Sequence, residues 1–325
     1  MPKQKISCAI IGLGFWGKKF LRKTQLSPVF DLQAVATAYV DSEIKNSIGG
    51  AEIFSSGRDL LLNRQFDLVF ILNSVENHFS LSQLALKSSK NIFLTKPLTI
   101  HLKESLVLEK LAQTQKAKIF VDHTFLFNKD FNYLKKLCSL QKISSLTSER
   151  MQFGKFQKYS DVLGELLYHD LYMCQELMGH EMPIQVQAMG EKNFNAEFDQ
   201  ISLQLIYKNA RSAQLFGAMN SIEKRKSLRV VTNKKLLSWQ DMGPSIFTKA
   251  DYKFGTSHIA KLKVQTLATP AQPKKDAIDL MLEHVAECVR QDKKSEIIDF
   301  KKGLEVMRLI EAARKSAQLK RSIRL

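Results

Sequence analysis

The chain reads as an α/β protein. A doubly wound parallel sheet comes first, followed by an α+β domain with a large open mixed or antiparallel sheet. Three observations predict this. Strand-like and helix-like segments alternate regularly from Lys5 to Val121, as they do where helices cover both faces of a parallel sheet. Beyond Asp122, strand-like segments follow one another with little helix between them. The 325 residues exceed the length at which a single core tends to split, so two domains are expected, 1–122 and 123–325.

Lys5–Ile11 reads as a buried strand. Gly12-Leu13-Gly14-Phe15-Trp16-Gly17 follows at once, and Lys18–Lys23 looks helical. Strand, G-x-G-x-x-G and helix is the order of a dinucleotide-binding Rossmann site. Gly12 makes the tight turn, Gly14 lets the backbone approach a pyrophosphate, and Gly17 lets the helix pack closely on the strand. Phe15 and Trp16 lie inside this loop and are counted with the cofactor contacts. A glycine turn with no ligand is the plainer alternative; the flanking strand and helix favour the dinucleotide.

Asp31–Ala36 is a second strand, and Phe66–Leu72 another. A polar turn with Asn73 and Ser74 follows, then a helix from about Phe79 to Lys90. Ile92–Leu94 is a strand, Lys103–Gln115 has helical periodicity, and Ala117–Val121 is the last strand of the alternating region. Lys96 stands just beyond Ile92–Leu94 and before Pro97, which disfavours helix at Lys96. A lysine there projects from the carboxyl edge of the sheet, where open α/β folds bind ligands.

In the second region, Phe131–Leu140 and Asp161–Met178 read as helices. Strand-like segments follow at Ile184–Met189, Gln200–Tyr207, Ser212–Met219 and Leu228–Thr232. Residues 253–275, rich in Lys, Thr and Pro, read as a long loop. Asp276–Gln291 and Lys301–Leu319 read as amphipathic helices.

Helix 161–178 carries a second group of chemical interest. Leu163, Leu167, Leu171, Cys174 and Met178 form an apolar stripe, with Glu165, His169, Tyr172 and Glu176 opposite. Glu165 and His169 are four apart and neighbours on a helix. A carboxylate orients an imidazole, and histidine is the side chain best suited to proton transfer near neutral pH. Spacing alone favours an exposed helix face with incidental Glu–His contacts.

Composition narrows the class. The chain is 44% hydrophobic and 25% charged, as soluble globular proteins are. No apolar stretch reaches the ~18 residues of a membrane span. The basic start runs into the first strand without a small-residue cleavage site, so no signal peptide is read there. Cys8, Cys138, Cys174 and Cys288 lack metal or redox spacing and suit a reducing cytoplasm. No metal site is expected. The net charge of +17 gathers at Lys18–Lys23, at Lys224-Arg225-Lys226 with Arg229, and from Arg314 to Arg324. Without a nucleic-acid motif this is read as solvated surface, with neither nucleic acid nor membrane as partner.

The glycine loop, Lys96-Pro97 and Glu165…His169 together resemble, in order and spacing, the Gfo/Idh/MocA oxidoreductases. Val121–Asn128 and Gly303–Ala317 extend the resemblance over nearly the whole chain. It implies a Rossmann domain and a substrate-binding α/β domain whose open sheet often makes dimer or tetramer contacts. It implies hydride transfer between NAD or NADP and a carbinol or keto carbon of a sugar, cyclitol or nucleotide sugar.

Lys96 matches the family's E-K-P lysine and His169 its catalytic histidine, with Glu165 where an Asp is usual. His78 matches a histidine near the nicotinamide; capping the following helix is its alternative. His123, Asp170 and Tyr172 are the candidate substrate contacts. Three positions depart from the family. Thr95 replaces the glutamate beside the lysine. Tyr172 replaces an acid often found three residues after the histidine. Thr37 stands where an acid on the ribose would select NAD, so the choice between NAD and NADP stays open.

In the expected oxidation, His169 takes the hydroxyl proton as hydride leaves, Lys96 donates a hydrogen bond to the same oxygen, and Glu165 holds the imidazole. A non-catalytic nucleotide-binding regulator on the same scaffold is the alternative. A reductase that uses Lys96 without His169 is a third reading.

Overall fold

A computed structural model describes residues 4–40, 42–89, 91–139, 141–154, 156, 159, 161–194, 196–254, 260–271 and 274–325. The chain divides into two compact units, one formed by Met1–His123 with Ile278–Met307, the other by Thr124–Ala277 with Arg308–Leu325.

The first unit begins with β1 (Ile6–Ile11), α1 (Phe15–Leu26), β2 (Phe30–Ala36), α2 (Ser42–Ser47), β3 (Glu52–Phe54), α3 (Gly57–Asn63) and β4 (Leu68–Ile71). A 3-10 turn over Val75–Asn77 leads to α4 (His78–Ser88), β5 (Asn91–Leu94), α5 (Leu102–Thr114) and β6 (Lys118–Val121). The strands form one parallel sheet in the order β3-β2-β1-β4-β5-β6. The order reverses between β1 and β4, the switch point at which such sheets bind ligands at their carboxyl ends. β4 and β5 are wholly buried, which is why they read as continuous apolar runs. Phe20, Phe70 and Phe93 pack together at 5.2–5.7 Å between ring centroids and tie α1 to the middle of the sheet.

The second unit contains a 3-10 turn over Thr124–Phe127, α6 (Lys129–Cys138), β7 (Ile143–Phe153), a π-helical turn over Leu163–Leu167 and α7 (Tyr168–Leu177). β8 (Gln185–Glu191), β9 (Gln200–Ile206), β10 (Ser212–Ala218), β11 (Asn220–Thr232), β12 (Lys235–Asp241), β13 (Ser245–Phe254) and β14 (Ala260–Leu267) follow. After them, α8 (Ala277–Arg290) belongs to the first unit from Ile278 on, α9 (Phe300–Leu319) is divided between the units at Met307, and β15 (Ile323–Arg324) belongs to the second. One sheet runs β14-β13-β12-β11-β7-β10-β9-β8-β15. Among the described residues, only the β10–β7 pairing in it is parallel. The alternation in β9 decides its orientation: Ile201, Leu203 and Leu205 are buried, while Ser202 is exposed and Gln204 half-buried.

The expected loop over 253–275 is corrected in part. β13 continues to Phe254, and β14 pairs with it from Phe247↔Leu267 to Phe254↔Ala260. β14 is an edge strand with exposed Leu262 and Val264, and its lysines and polar residues are those that edge strands carry. Residues 255–259 of that expected loop, and 272–273, lie outside the described residues. β7, β12 and β13 were also missed, because polar residues interrupt their apolar pattern.

The basic clusters are not uniformly solvated. Lys23 pairs with Asp279 at 2.7 Å. Arg314 bonds Asp161, whose side chain is 1% exposed, at 2.6 and 3.0 Å. Lys226 is half-buried, and burial lowers its pKa. No helix among the described residues is long and apolar enough to cross a membrane, and no group of three or more His, Cys, Asp or Glu there could hold a metal. The four cysteines are buried free thiols, and burial pushes Cys138 and Cys174 up to about 12.

Candidate functional site

In the first unit the glycine turn joins β1 to α1. Gly12 has φ +96°, a conformation that side chains disfavour, and its N–H bonds Ala36 O at 2.8 Å. A Cβ on Gly12 would lie 2.7 Å from the Asn73 nitrogen. One on Gly17 would lie 1.9 Å from Gly12 O, so helix and turn touch backbone to backbone. Gly14 differs: a Cβ there would meet nothing within 4 Å. It is the N-cap of α1, whose first turn has neither a side-chain cap nor an acidic residue. The positive end of the helix dipole at this turn therefore suits an anion. Asn73 Oδ1, beside the turn, is buried without a hydrogen-bond partner. An open face at Gly14, an uncapped twelve-residue helix and an orphaned amide oxygen together fit a dinucleotide pyrophosphate and its flanking groups.

Phe15 is 66% exposed and packs edge-on against Trp16, with Lys19 Nζ 4.3 Å and 4.9 Å from the two ring centroids. Thr37 closes β2: its N–H bonds Phe54 O, and its hydroxyl donates to Tyr39 O at 3.0 Å. Ser74 donates to Glu76 at 2.7 Å and begins the 3-10 turn.

Lys96 is half-buried, two residues past β5 and joined to Pro97 by a cis bond. Beneath this loop lies His78, 1% exposed, with Nδ1 2.9 Å from Pro97 O and Nε2 3.0 Å from Asn73 O. The sequence reading offered His78 as a nicotinamide neighbour or a helix cap. The structure corrects the second, because Asn77 is the N-cap of α4 and the His78 ring is buried against protein carbonyls, bracing the ends of β4 and β5. Burial lowers its pKa and favours the neutral ring. Thr95 is buried too, with its hydroxyl 3.4 Å from Ile71 O and 3.3 Å from His78 Nε2. It takes part in the brace, where the family pattern has a carboxylate. His123 is fully buried, which favours packing over contact with a substrate.

In the second unit His169 lies in the first turn of α7, directly after the π turn. π turns often mark functional positions. Glu165 sits on that turn, half-buried, with its N–H on Asp161 O at 2.9 Å. The apolar stripe is as expected, with Leu163, Leu167, Leu171, Cys174 and Met178 all buried. The opposite side is corrected, because Tyr172 is only 2% exposed. Its hydroxyl lies 3.3 Å from His169 Nδ1 and accepts the Phe125 N–H at 3.1 Å.

Asp170, offered as a substrate contact, is buried and committed to the protein. It accepts Ser148 Oγ at 2.5 Å and pairs with Arg150, whose Nη2 is 3.3 Å from Oδ1. Asp170 and Arg150 neutralise each other where a lone charge is costly, and the Asp170 field helps raise the Arg150 pKa against burial. Arg150 was missed by the sequence reading. Its guanidinium stands 5.2 Å from the Phe125 ring, which meets the His169 ring edge-on at 5.4 Å. Its one legible signal is a charged residue at an inward position of alternating β7.

The chain matches the sequence profile of an oxidoreductase family twice: the NAD-binding Rossmann fold over residues 6–123, and the C-terminal alpha/beta domain over residues 154–325. It is 24% identical over 152 residues to the uncharacterized oxidoreductase YdgJ of Escherichia coli (strain K12), 47% of this chain and 44% of that one. It is 26% identical over 214 residues to the uncharacterized oxidoreductase YrbE of Bacillus subtilis (strain 168), 62% of this chain and 61% of that one. The chain thus spans about half the length of the curated relatives it matches. Its fold is like that of UDP-N-acetylglucosamine 3-dehydrogenase GnnA from Acidithiobacillus ferrooxidans, with a TM-score of 0.83 at 20% identity over 97% of this chain and 98% of that one. With both profiles matched in chain order, the chain belongs to the Gfo/Idh/MocA oxidoreductase family.

Proposed function

We propose that this chain is an NAD(P)-dependent oxidoreductase acting on a carbinol or keto carbon of a sugar, cyclitol or nucleotide sugar. The observation that carries this reading is the glycine turn, open at Gly14 and closed at Gly12 and Gly17. Family membership and the likeness in fold to GnnA favour a sugar-type substrate. The cofactor, when bound, supplies the hydride chemistry. The chain supplies position, field and proton handling.

The uncapped N-terminus of α1 binds phosphate oxygens through backbone N–H groups. Asn73 and Ser74 line the loop after β4, and Thr37 the loop after β2. Lys96 donates a hydrogen bond to the reacting oxygen and stabilises negative charge that develops there. His169 exchanges the proton of that oxygen, taking it in oxidation and returning it in reduction. Glu165 is the carboxylate proposed to support the imidazole. The open face of the second unit's sheet exposes Met189, Ile246 and Val264, which supports association of copies of this chain; light scattering tests that.

The test is NAD(P)H oxidation across a panel of keto-sugars, alongside fluorescence titration of NADH and NADPH. Binding with turnover supports the proposal. Binding without turnover of any keto-sugar favours the regulator, a reading that Thr95 in place of a carboxylate supports. Absence of binding overturns both.

A further inference from the structure

β7 and β11 pair antiparallel, with Arg150 opposite Lys226 and Ser148 opposite Leu228. Directly opposed residues share one face of a sheet. Here it is the face that meets α7, since Ser148 and Arg150 both bond Asp170. Asp170 directly follows His169, and the Phe125 ring lies 5.2 Å from the Arg150 guanidinium and 5.4 Å from the His169 ring. Two cations thus stand side by side next to the proton-handling group. Like charges in that arrangement repel unless anions answer both.

The carboxylates nearby answer them only in part. Arg150 is 7% exposed and commits Nε and Nη2 to Asp170. Its Nη1, which carries two N–H donors, makes no hydrogen bond among the described residues. Lys226 is half-buried, and its ammonium lies 3.8 Å from Asp241 Oδ2, beyond hydrogen-bonding distance. The Asp241 side chain is 31% exposed, so solvent weakens its pull, and Lys224 adds a further positive charge close by. Burial has already stripped part of the hydration from the Lys226 ammonium and lowers its pKa. The fold therefore meets some of the desolvation that binding an anion requires.

We propose, on the reading of His169 as the proton-handling group, that Arg150 Nη1 and Lys226 Nζ form an anion subsite for the substrate. It holds a carboxylate or phosphate that the sugar carries away from its reacting carbon. The substrate class is then acidic sugars, selected over neutral ones. Arg150 offers a rigid donor edge, because Asp170 fixes the rest of the guanidinium, and Lys226 a rotatable point charge. Asp170 acts through Arg150 as a positioning residue. Arg225 and Arg229 lie outside the subsite: they pair with Glu149 on the opposite face of the sheet.

The test is calorimetric binding of glucuronate, glucose 1-phosphate and glucose to the full-length protein, with and without NADPH. Glucuronate carries its charge as a carboxylate and glucose 1-phosphate as a phosphate, so the two tell the sources of the anion apart. At least one should bind roughly 10-fold more tightly than glucose, the worth of a charge-assisted hydrogen bond. Lys226→Met, which keeps an unbranched stem, should erase that preference, and Lys226→Arg should retain most of it. A lysine with a merely structural role would weaken anionic and neutral sugars alike. Equal binding of all three sugars, or a preference that Lys226→Met leaves intact, overturns the proposal.

Turnover separates this proposal from the function it rests on. If an acidic sugar binds through Lys226 and no keto-sugar, acidic or neutral, is reduced, the proposed function fails and the subsite stands. If neutral keto-sugars are reduced and acidic sugars bind no better than glucose, the subsite fails and the function stands.

Discussion

The glycine turn of the first unit and the His169 helix of the second use their residues in opposite ways. The turn works through backbone: Gly12 and Gly17 leave no room for side chains, and Gly14 leaves a face open. The helix works through side chains: the Tyr172 hydroxyl lies beside His169 Nδ1 and accepts the Phe125 N–H, and the Phe125 ring lies against Arg150, which Asp170 holds. A backbone site is specified by the absence of atoms, which a local motif records. A side-chain site is specified by partners from distant segments, which no local motif records.

The contrast can be broken most severely at the turn. Gly17→Val places a side chain 1.9 Å from Gly12 O and should abolish NAD(P)H binding in a fluorescence titration. Gly14→Ala sharpens the point: with nothing within 4 Å of the new methyl, thermal stability should change by no more than ~0.5 kcal/mol while cofactor affinity falls. On the helix, His169→Ala should lower kcat by ~10²–10⁴-fold and leave cofactor binding intact. Turnover within a few-fold of wild type would remove His169 from the mechanism.

Arg150→Met leaves Asp170 buried without its cation and should cost ~3–5 kcal/mol in urea unfolding. Adding Asp170→Leu should recover much of that, since the lone charge is gone. The smallest effect concerns the His78 brace. Its folded pKa is depressed below 6.5 by burial, so below that pH the unfolded chain binds a proton that the folded chain refuses. The stability it contributes is present above 6.5 and lost as pH falls toward the folded pKa, by at most ~1.4 kcal/mol per pH unit. His284, also lowered by burial, adds a slope of the same sign. Urea midpoints from about pH 7.5 to 5.5 should fall less steeply in His78→Gln than in wild type.

Much of the first unit was legible because its signals are local. β4 and β5 are buried on both faces and read as unbroken apolar runs. The apolar stripe from Leu163 to Met178 was equally legible. The second sheet was harder. β7, at its centre, carries Ser148 and Arg150 at inward positions because Asp170 is there to meet them. Polar letters on a buried face hide a strand from any reading of periodicity. β14, at the edge, is hidden for the opposite reason, since exposure allows almost any residue. The brace made by His78 was not legible, because a histidine just before a helix reads as a ligand contact or a cap, whereas the carbonyls its ring meets come from Asn73 and Pro97.

By itself the sequence determined the α/β class, the glycine turn and the positions of Lys96 and His169, because strand, turn and helix propensities act over a few residues. The tertiary structure decided the partners. It made Asp170 the buried counter-ion of Arg150, His78 and Thr95 a brace between two strand ends, and Tyr172 the neighbour of His169 Nδ1. These roles depend on hydrogen bonds and charges satisfied out of water, and the groups that satisfy them converge only when the chain is folded.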